Sequence, residues 1–322
     1  MTTLGELGEA AVLRRIFPRL PEADVALVGP GDDAAVLAAP DGRYVVTTDT
    51  MVHGPDFRLA WSTPHDLGWK AAATNLSDIA AMGARPTALV VALVAPPDTP
   101  VTVLEGLADG LRDACNELAP GCGVVGGDLS VSDRMMIAVT AFGDLQGRDA
   151  VLRSGARDGD VVAVSGNVGL AAKGLALLFE RAIDDEGVPD AERAHALRAE
   201  FPAELAAQLT PRPPLADGIA AAIAGATAML DLSDGLALDA RRIADASGVA
   251  IDLTASAVGS AAALVGGEDH SLLATFPPGV ALPGGFRPIG VVRAGTGLTV
   301  DGREYTDRGG WDPYDDWNGG AG

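Results

Sequence analysis

The sequence predicts a two-domain α/β protein of the α+β type, with a mixed sheet and packed helices in its first half and a second α/β unit after it. Three observations carry that expectation. At 322 residues the chain is long enough for two units that each bury a core. In the first half, apolar runs and helix-period stretches follow the order β-α-β-α-β-β, a compact sheet with two helices packed on it. From Gly147 to Asp160 the chain becomes polar and turn-rich, which sets the expected division at 1–148 and 149–322.

The elements follow in order. Leu4 to Phe17 has helical spacing and is stopped by Pro18. Gly29 to Asp33 is a turn with two carboxylates, and Tyr44 to Thr48 is a strand that delivers Asp49 at its end. Met51 to Pro64 reads as loop. The stretch from Lys70 to Pro86 organises the first half. Trp69, Ala72, Ala73, Leu76, Ile79, Ala80 and Gly83 recur at three- and four-residue steps, one apolar face of a helix. Asn75 and Asp78 lie three apart on another face, so their side chains are neighbours. Gly83 and Pro86 end the helix. Leu89 to Val94 is a strand, Val103 to Leu118 a second helix, and Gly121 to Gly127 a short glycine-rich strand or turn ending in Asp128. Met135 to Phe142 is another strand.

Past the division, Val161 to Val164 is a strand, followed by the turn Ser165 to Gly169 and a helix to about Glu180. Ala191 to Gln208 is helical with a break at Pro202, and Leu215 to Ala224 is a helix. Ala228 to Leu230 is a strand, after which Asp231 or Ser233 is placed to cap the next helix. Leu272 to Phe276 is a strand, and Asn318 to Gly322 is expected to be disordered.

Composition narrows the function classes. The chain is 48% hydrophobic and 21% charged, as a soluble globular protein is. Net charge is −21 and no basic patch stands out, so nucleic acid is not expected as a partner. The acidity suits divalent cations and suits general solubility equally. Cys115 and Cys122 make neither a disulfide framework nor a zinc site, and a reducing cytoplasm is the expected compartment. The first residues lack the basic-then-apolar order of a signal peptide. Ala88 to Ala95, the longest clean apolar run, is too short to span a bilayer.

The strongest chemical signal is the set Asp33, Asp49, Asp78, Asp128, Asp231 and Asp234, each placed at a turn, a strand end or a helix start. Carboxylate oxygens are hard ligands, and a few of them with water and phosphate oxygens hold magnesium. No His or Cys stands at ligand spacing, which argues against zinc. For one Asp alone, a turn or cap explains it as well; the whole set favours a metal. Gly121 to Gly126 matches G-x-G-x-x-G, but it follows a helix and leads into Asp128, the wrong setting for dinucleotide binding. The turn before the helix at residue 170 offers a helix N-terminus to an anion, although a plain tight turn explains it better. Arg153 and Lys173 suit either phosphate or solvent. His53, His65, His195 and His270 pair with no Ser or Cys motif, so no catalytic base or nucleophile is expected.

These residues, taken in order, resemble a known family. Gly31 to Asp33, Thr47 to Thr50, Asn75 to Asp78 with Ala80 to Ala84, Gly126 to Asp128, Arg153 to Ala156, Asp231 to Gly235 and Gly267 to Asp269 stand as in the thiamine-monophosphate kinase family, across nearly the whole chain. The resemblance implies an N-terminal domain whose sheet forms the core of a homodimer and a C-terminal domain that closes over ATP. It implies several Mg2+ ions held by Asp33, Thr47, Thr48, Asp49, Asp78, Asp128, Asp231 and Asp234. It implies ATP contacts from Gly127, Asp128, Arg153 and Ser233. Thiamine monophosphate is expected against Asp56, Glu268 and Trp311. Trp311, Tyr314 and Trp317 crowd the acidic end of a chain that is only 4% aromatic, and Trp311 suits a lid over the substrate.

The sequence departs from the family at His270 and Ser271, where Tyr and Glu are common, and at Asp56, where His is common. The implied reaction is ATP-dependent phosphorylation of thiamine monophosphate. Its acceptor is already anionic, so no base is required, and the obstacle is repulsion between phosphates. The alternatives are a selenophosphate synthetase-like enzyme, which commonly carries an N-terminal Cys that this chain lacks, or a non-catalytic metal- or nucleotide-binding protein.

Overall fold

The chain enters through two short helices, α1 (Leu4–Leu7) and α2 (Glu9–Ile16), because Gly8, at φ +73°, breaks the run that reads as one helix. A 3₁₀ turn at Phe17–Arg19 holds Pro18. The computed structural model describes residues 2–30 and 34–311, so Asp33, Tyr314, Trp317 and Asn318 to Gly322 lie outside the described residues. β1 (Ala26–Val28) and β2 (Val36–Leu37) form a small antiparallel pair.

The first sheet is built from β3 (Val45–Val52), then α3 (Pro64–Ala81), β4 (Arg85–Ala95), α4 (Val101–Leu118), β5 (Gly123–Val131) and β6 (Met136–Asp144). Its strand order is β3-β6-β4-β5, with β4 and β5 parallel and the other pairs antiparallel. The β-α-β-α-β-β order holds, but the strands run longer than their apolar cores. Asp49 and Asp128 therefore sit within strands and not at strand ends, because the ladder to β6 and β4 continues past them. Pro86 stands inside β4, and the helix ends at Ala81, with Met82 as its C-cap just before Gly83 (φ +73°).

α3 starts earlier than its apolar period suggests. Thr63 and Asp66 form a reciprocal capping box and Pro64 takes the first turn. Such a cap is worth about 1 kcal/mol. α3 and α4 cross with backbones touching: a Cβ on Gly68 would meet Leu107 O at 2.0 Å, and one on Gly110 would meet His65 O at 2.0 Å. Only glycine permits that approach, and it lets Trp69, Leu76 and Ile79 reach one buried core with Leu89 and Val139. Both helices cover the same face of the sheet. The other face is open, with Val46 59% exposed and Thr48 and Thr50 exposed beside it along β3.

The second half contains β7 (Val161–Ser165), α5 (Leu170–Arg181), α6 (Ala191–Glu200), α7 (Pro202–Leu209), α8 (Leu215–Ala224), β8 (Ala228–Leu232), α9 (Leu236–Ser247) and β9 (Ala250–Leu253). It ends with α10 (Ala255–Val258), α11 (Ala261–Val265), β10 (Ser271–Phe276), β11 (Arg287–Arg293), β12 (Gly297–Val300) and β13 (Arg303–Glu304). The seven strands order as β13-β12-β9-β11-β7-β10-β8. β8 extends to Leu232, so Asp231 is a buried strand residue and caps nothing. Asp239 serves α9 instead, accepting from the backbone of Asp234 and Gly235 at 3.2 Å each.

α3 is also the seam between the halves. Ser77 Oγ donates to His270 O (3.1 Å), Trp69 Nε1 donates to Pro211 O (2.7 Å), and Gly218 lets α8 approach the carbonyl of Ala80. Among the described residues, no helix is long and apolar enough to cross a membrane.

Candidate active site

Strand alternation turns Thr47 and Asp49 of β3 toward α3. Thr47 Oγ1 donates to Asp78 Oδ2 (2.9 Å). Asn75, buried, donates to Ala71 O (3.0 Å) and accepts from the backbone N–H of Asp49 (3.2 Å). The amide thus fastens helix to strand and sets the Asp49 and Asp78 carboxylates side by side. β8 brings Asp231 to them from the second sheet. Burial raises the Asp49 carboxyl above its usual range, and Asp231, Asp234 and Glu268 raise it further against the pull of His270. Asp78 is pushed up to about 7, by burial first and then by Asp231 and Asp49, although Thr47 and His270 oppose.

His270 is buried and its Nδ1 bonds Asp231 Oδ2 at 3.2 Å. Burial pulls its proton affinity down, but the hydrogen bond and charge of Asp231 outweigh that and raise it. Glu268 and His270 hold left-handed backbone (φ +69° and +49°), fixed by bonds from Glu268 N to Ser233 O (2.8 Å) and His270 N to Leu232 O (3.0 Å). Such strain persists where surrounding structure over-determines it. Asp234 pairs with Arg242 at 2.6 Å, and Arg242 also pairs with Asp239 at 2.5 Å.

These are hard oxygen donors pressed together so that their charges oppose one another, a donor set that fits Mg2+. Among the described residues, no group of three or more His, Cys, Asp and Glu side chains is placed to hold a metal ion by itself. One or two carboxylates per ion, completed by water and phosphate, is the usual magnesium arrangement.

The other sequence-derived site residues divide by location. Thr48 Oγ1 donates to Val139 O (3.0 Å) and accepts from Thr140, which turns its side chain to the opposite face from Thr47. Register runs Asp49–Val139–Val91–Gly127 across the sheet. Asp128 falls in the next row, on the open face and three strand spacings away, roughly 14 Å. Gly127 and Asp128 border a largely apolar cavity of about 550 Å³ with Leu104, Leu107 and Leu111 of α4. Arg153 is exposed and lines neither this cavity nor the next. Lys173 is exposed on α5. The α5 N-terminus is not open to an anion, because Asp269 accepts from the N–H groups of Gly169, Leu170 (3.1 Å) and Ala171 (2.9 Å).

Asp56, Ser233, Glu268 and Trp311 come together around a second cavity of about 250 Å³. Burial raises the Asp56 carboxyl, which accepts from Val52 N at 2.7 Å. Lys70, buried on α3, forms an ion pair with Glu268. Burial alone would raise Glu268, but the charges of Lys70 and His270 hold it below the ordinary value. Gln208, its amide oriented to donate to Ala171 O (3.1 Å), accepts from Lys70 Nζ at 3.3 Å. Sequence reasoning missed Lys70, Gln208 and Arg58 as members of this pocket. The available signal for Lys70 was a charge next to Trp69 in a helix otherwise rich in alanine.

Residues 31–145 match the AIR synthase related protein, N-terminal domain, which defines the class of protein to which the first sheet and its carboxylates belong. Over 330 aligned residues, 97% of this chain and 93% of the relative, the sequence is 45% identical to thiamine-monophosphate kinase of Mycobacterium tuberculosis (strain ATCC 25618 / H37Rv). The chain belongs to the thiamine-monophosphate kinase family. A solved thiamine-monophosphate kinase from Stenotrophomonas maltophilia K279a superposes with a TM-score of 0.76 at 32% identity, covering 93% of this chain and 98% of that one. A solved structure described as AaThiL complexed with AMPPCP and TMP superposes with a TM-score of 0.72 at 30% identity, covering 97% and 98%.

Proposed function

We propose that this chain transfers the γ-phosphoryl group of ATP to the phosphate of thiamine monophosphate, giving thiamine diphosphate by direct, magnesium-assisted transfer. The observation that carries the reading is the junction at Glu268. Its carboxylate lines the pocket with Asp56 and Trp311, and its charge also reaches Asp49 in the carboxylate cluster. A substrate seated in that pocket therefore has its phosphate beside the donors that magnesium needs. The family's full-length kinases disfavour a selenophosphate synthetase-like enzyme and a non-catalytic binder.

The acceptor is an anionic phosphate monoester, so no side chain need remove a proton, and positioning supplies the acceleration. Asp49, Asp78 and Asp231 would hold Mg2+, with Asp33, Thr47 and Asp234 as further ligands and Asp128 reaching them from a second copy, whereas Thr48, turned to the other face of β3, would not join them. The ions would neutralise both phosphates and align their oxygens. Asn75 and Thr47 fix the carboxylates to one geometry. Asp56 and Glu268 face the thiazolium charge, and Trp311, 41% exposed, covers the ring. The ATP base would take the apolar cavity beside Gly127 and Asp128, its phosphates would extend toward Ser233 in the second cavity of a partner copy, and Arg153 would approach them from outside both cavities.

We place the domain division at 148/149 and read the active form as a cytoplasmic homodimer. Among the described residues, β3 and β5 are the two edge strands of the first sheet. A dimer that sets β5 of one copy beside β3 of the other joins Gly127 and Asp128 to an Asp49–Asp78 cluster, which one copy alone keeps apart. Formed twice about a two-fold axis, the pairing would also close the two sheets over their open faces. The test is release of ADP with thiamine monophosphate present or withheld, with and without magnesium. Turnover that needs both supports the reading, and turnover with neither refutes it.

A further inference from the structure

The pocket that holds Asp56 and Trp311 has two chemically different ends. At one end Glu268 and Lys70 pair, next to the carboxylate cluster. At the other, the Arg58 guanidinium lies 4.7 Å from the Trp61 ring centroid and 4.6 Å from that of Phe179. The two rings meet edge to face at 5.0 Å and 84°. Trp61 is itself fixed, its Nε1 donating to Ala182 O at 2.8 Å. The chain has 44 acidic residues against 23 Lys and Arg, yet no carboxylate pairs with Arg58 among the described residues. Burial lowers its proton affinity and no partner raises it. A planar, partly desolvated fork of donors thus borders the cavity beside two aromatic rings, with no carboxylate partner among the described residues.

We propose that Arg58 is a specificity-determining residue that reads the pyrimidine half of the substrate and sets its direction in the pocket. This rests on the kinase reading above. Thiamine monophosphate is a directional rod with an anionic phosphate, a cationic thiazolium and a neutral aminopyrimidine whose ring nitrogens accept hydrogen bonds. With the phosphate at the carboxylates, the thiazolium falls beside Asp56 and Glu268, which attract it. The pyrimidine then reaches Arg58, which donates to a ring nitrogen. Entry the other way round would set the thiazolium against the guanidinium, two cations in a poorly hydrated space. Arg58 therefore supports one orientation and disfavours the reverse.

The test compares two ligands in wild type, Arg58→Met and Arg58→Lys: thiamine monophosphate, and an N-methylthiazolium ethyl phosphate fragment that lacks the pyrimidine, used as a competitive inhibitor. Arg58→Met should raise KM for thiamine monophosphate roughly tenfold, the usual loss for a hydrogen bond to a charged group. The KM for ATP and the inhibition constant of the fragment should not move. Arg58→Lys keeps the cation but loses the fork, and should fall between. If Arg58→Met does not fold, Arg58→Lys carries the same comparison. Equal weakening of both ligands would make Arg58 a packing residue, and an unchanged KM would remove it from the pocket's function; either overturns the proposal. Wild-type protein without thiamine monophosphate-dependent ADP release would instead overturn the kinase reading.

Discussion

Asp78→Asn should stabilise the metal-free protein while abolishing turnover. In the folded chain the Asp78 carboxyl titrates near 7, against 3.8 for the free side chain. Each pKa unit corresponds to about 1.36 kcal/mol, so holding this carboxylate ionised among Asp49 and Asp231 costs up to about 4 kcal/mol at pH 8. Asn keeps the shape and can still accept from Thr47. Because the folded carboxyl holds its proton to higher pH than the unfolded one, folding takes up a proton between pH 3.8 and about 7. The stability linked to this group is thus complete below pH 3.8 and lost as pH rises through about 7. Thermal unfolding in EDTA should show the variant higher by on the order of 5 °C at pH 8, with the gap closing toward pH 4. Magnesium should narrow the gap at pH 8 by stabilising the wild type. A variant that melts lower at pH 8, or a difference independent of pH, would refute the idea that mutual repulsion strains this cluster.

Trp311→Ala should raise the KM for thiamine monophosphate roughly tenfold, since a ring–cation contact at a partly desolvated site is worth about 1–2 kcal/mol, and should leave the KM for ATP unchanged; equal weakening of both would mean general loosening. Activity should survive zinc-selective chelators and be restored after EDTA by magnesium or manganese, as an all-oxygen site requires; rescue by zinc alone would contradict it. Asp49→Asn and Asp128→Asn, each inactive alone, should regain about a quarter of wild-type activity when mixed and allowed to exchange subunits, if each site draws on two copies; no recovery despite exchange would place Asp49 and Asp128 in one protomer's site.

Much of the fold is legible because its signals are local. The helix through Trp69, Leu76 and Ile79 declares itself by spacing, and α8 matches its reading from Leu215 to Ala224. Strand ends are less legible. Whether Asp49, Asp128 and Asp231 lie in a ladder or at its edge depends on partner strands far away in the chain, and the ladder extends over all of them. Asp269 shows the same limit. Its carboxylate fills a helix N-terminus about a hundred residues earlier, a pairing invisible to any local window. The pocket members named from family resemblance do converge, but Lys70 and Arg58 carry no motif. Their places in the pocket come from burial against Glu268 in one case and from two rings brought in by different elements in the other.

The most direct test follows the label from [γ-³²P]ATP. Incubation with thiamine monophosphate and magnesium should place it on the terminal phosphate of thiamine diphosphate, one labelled product for each ADP released. Omitting magnesium or replacing Asp49 with Asn should remove both products together. ADP formed without labelled thiamine diphosphate, or labelled product made at the wild-type rate by Asp49→Asn, would contradict phosphoryl transfer at this carboxylate cluster.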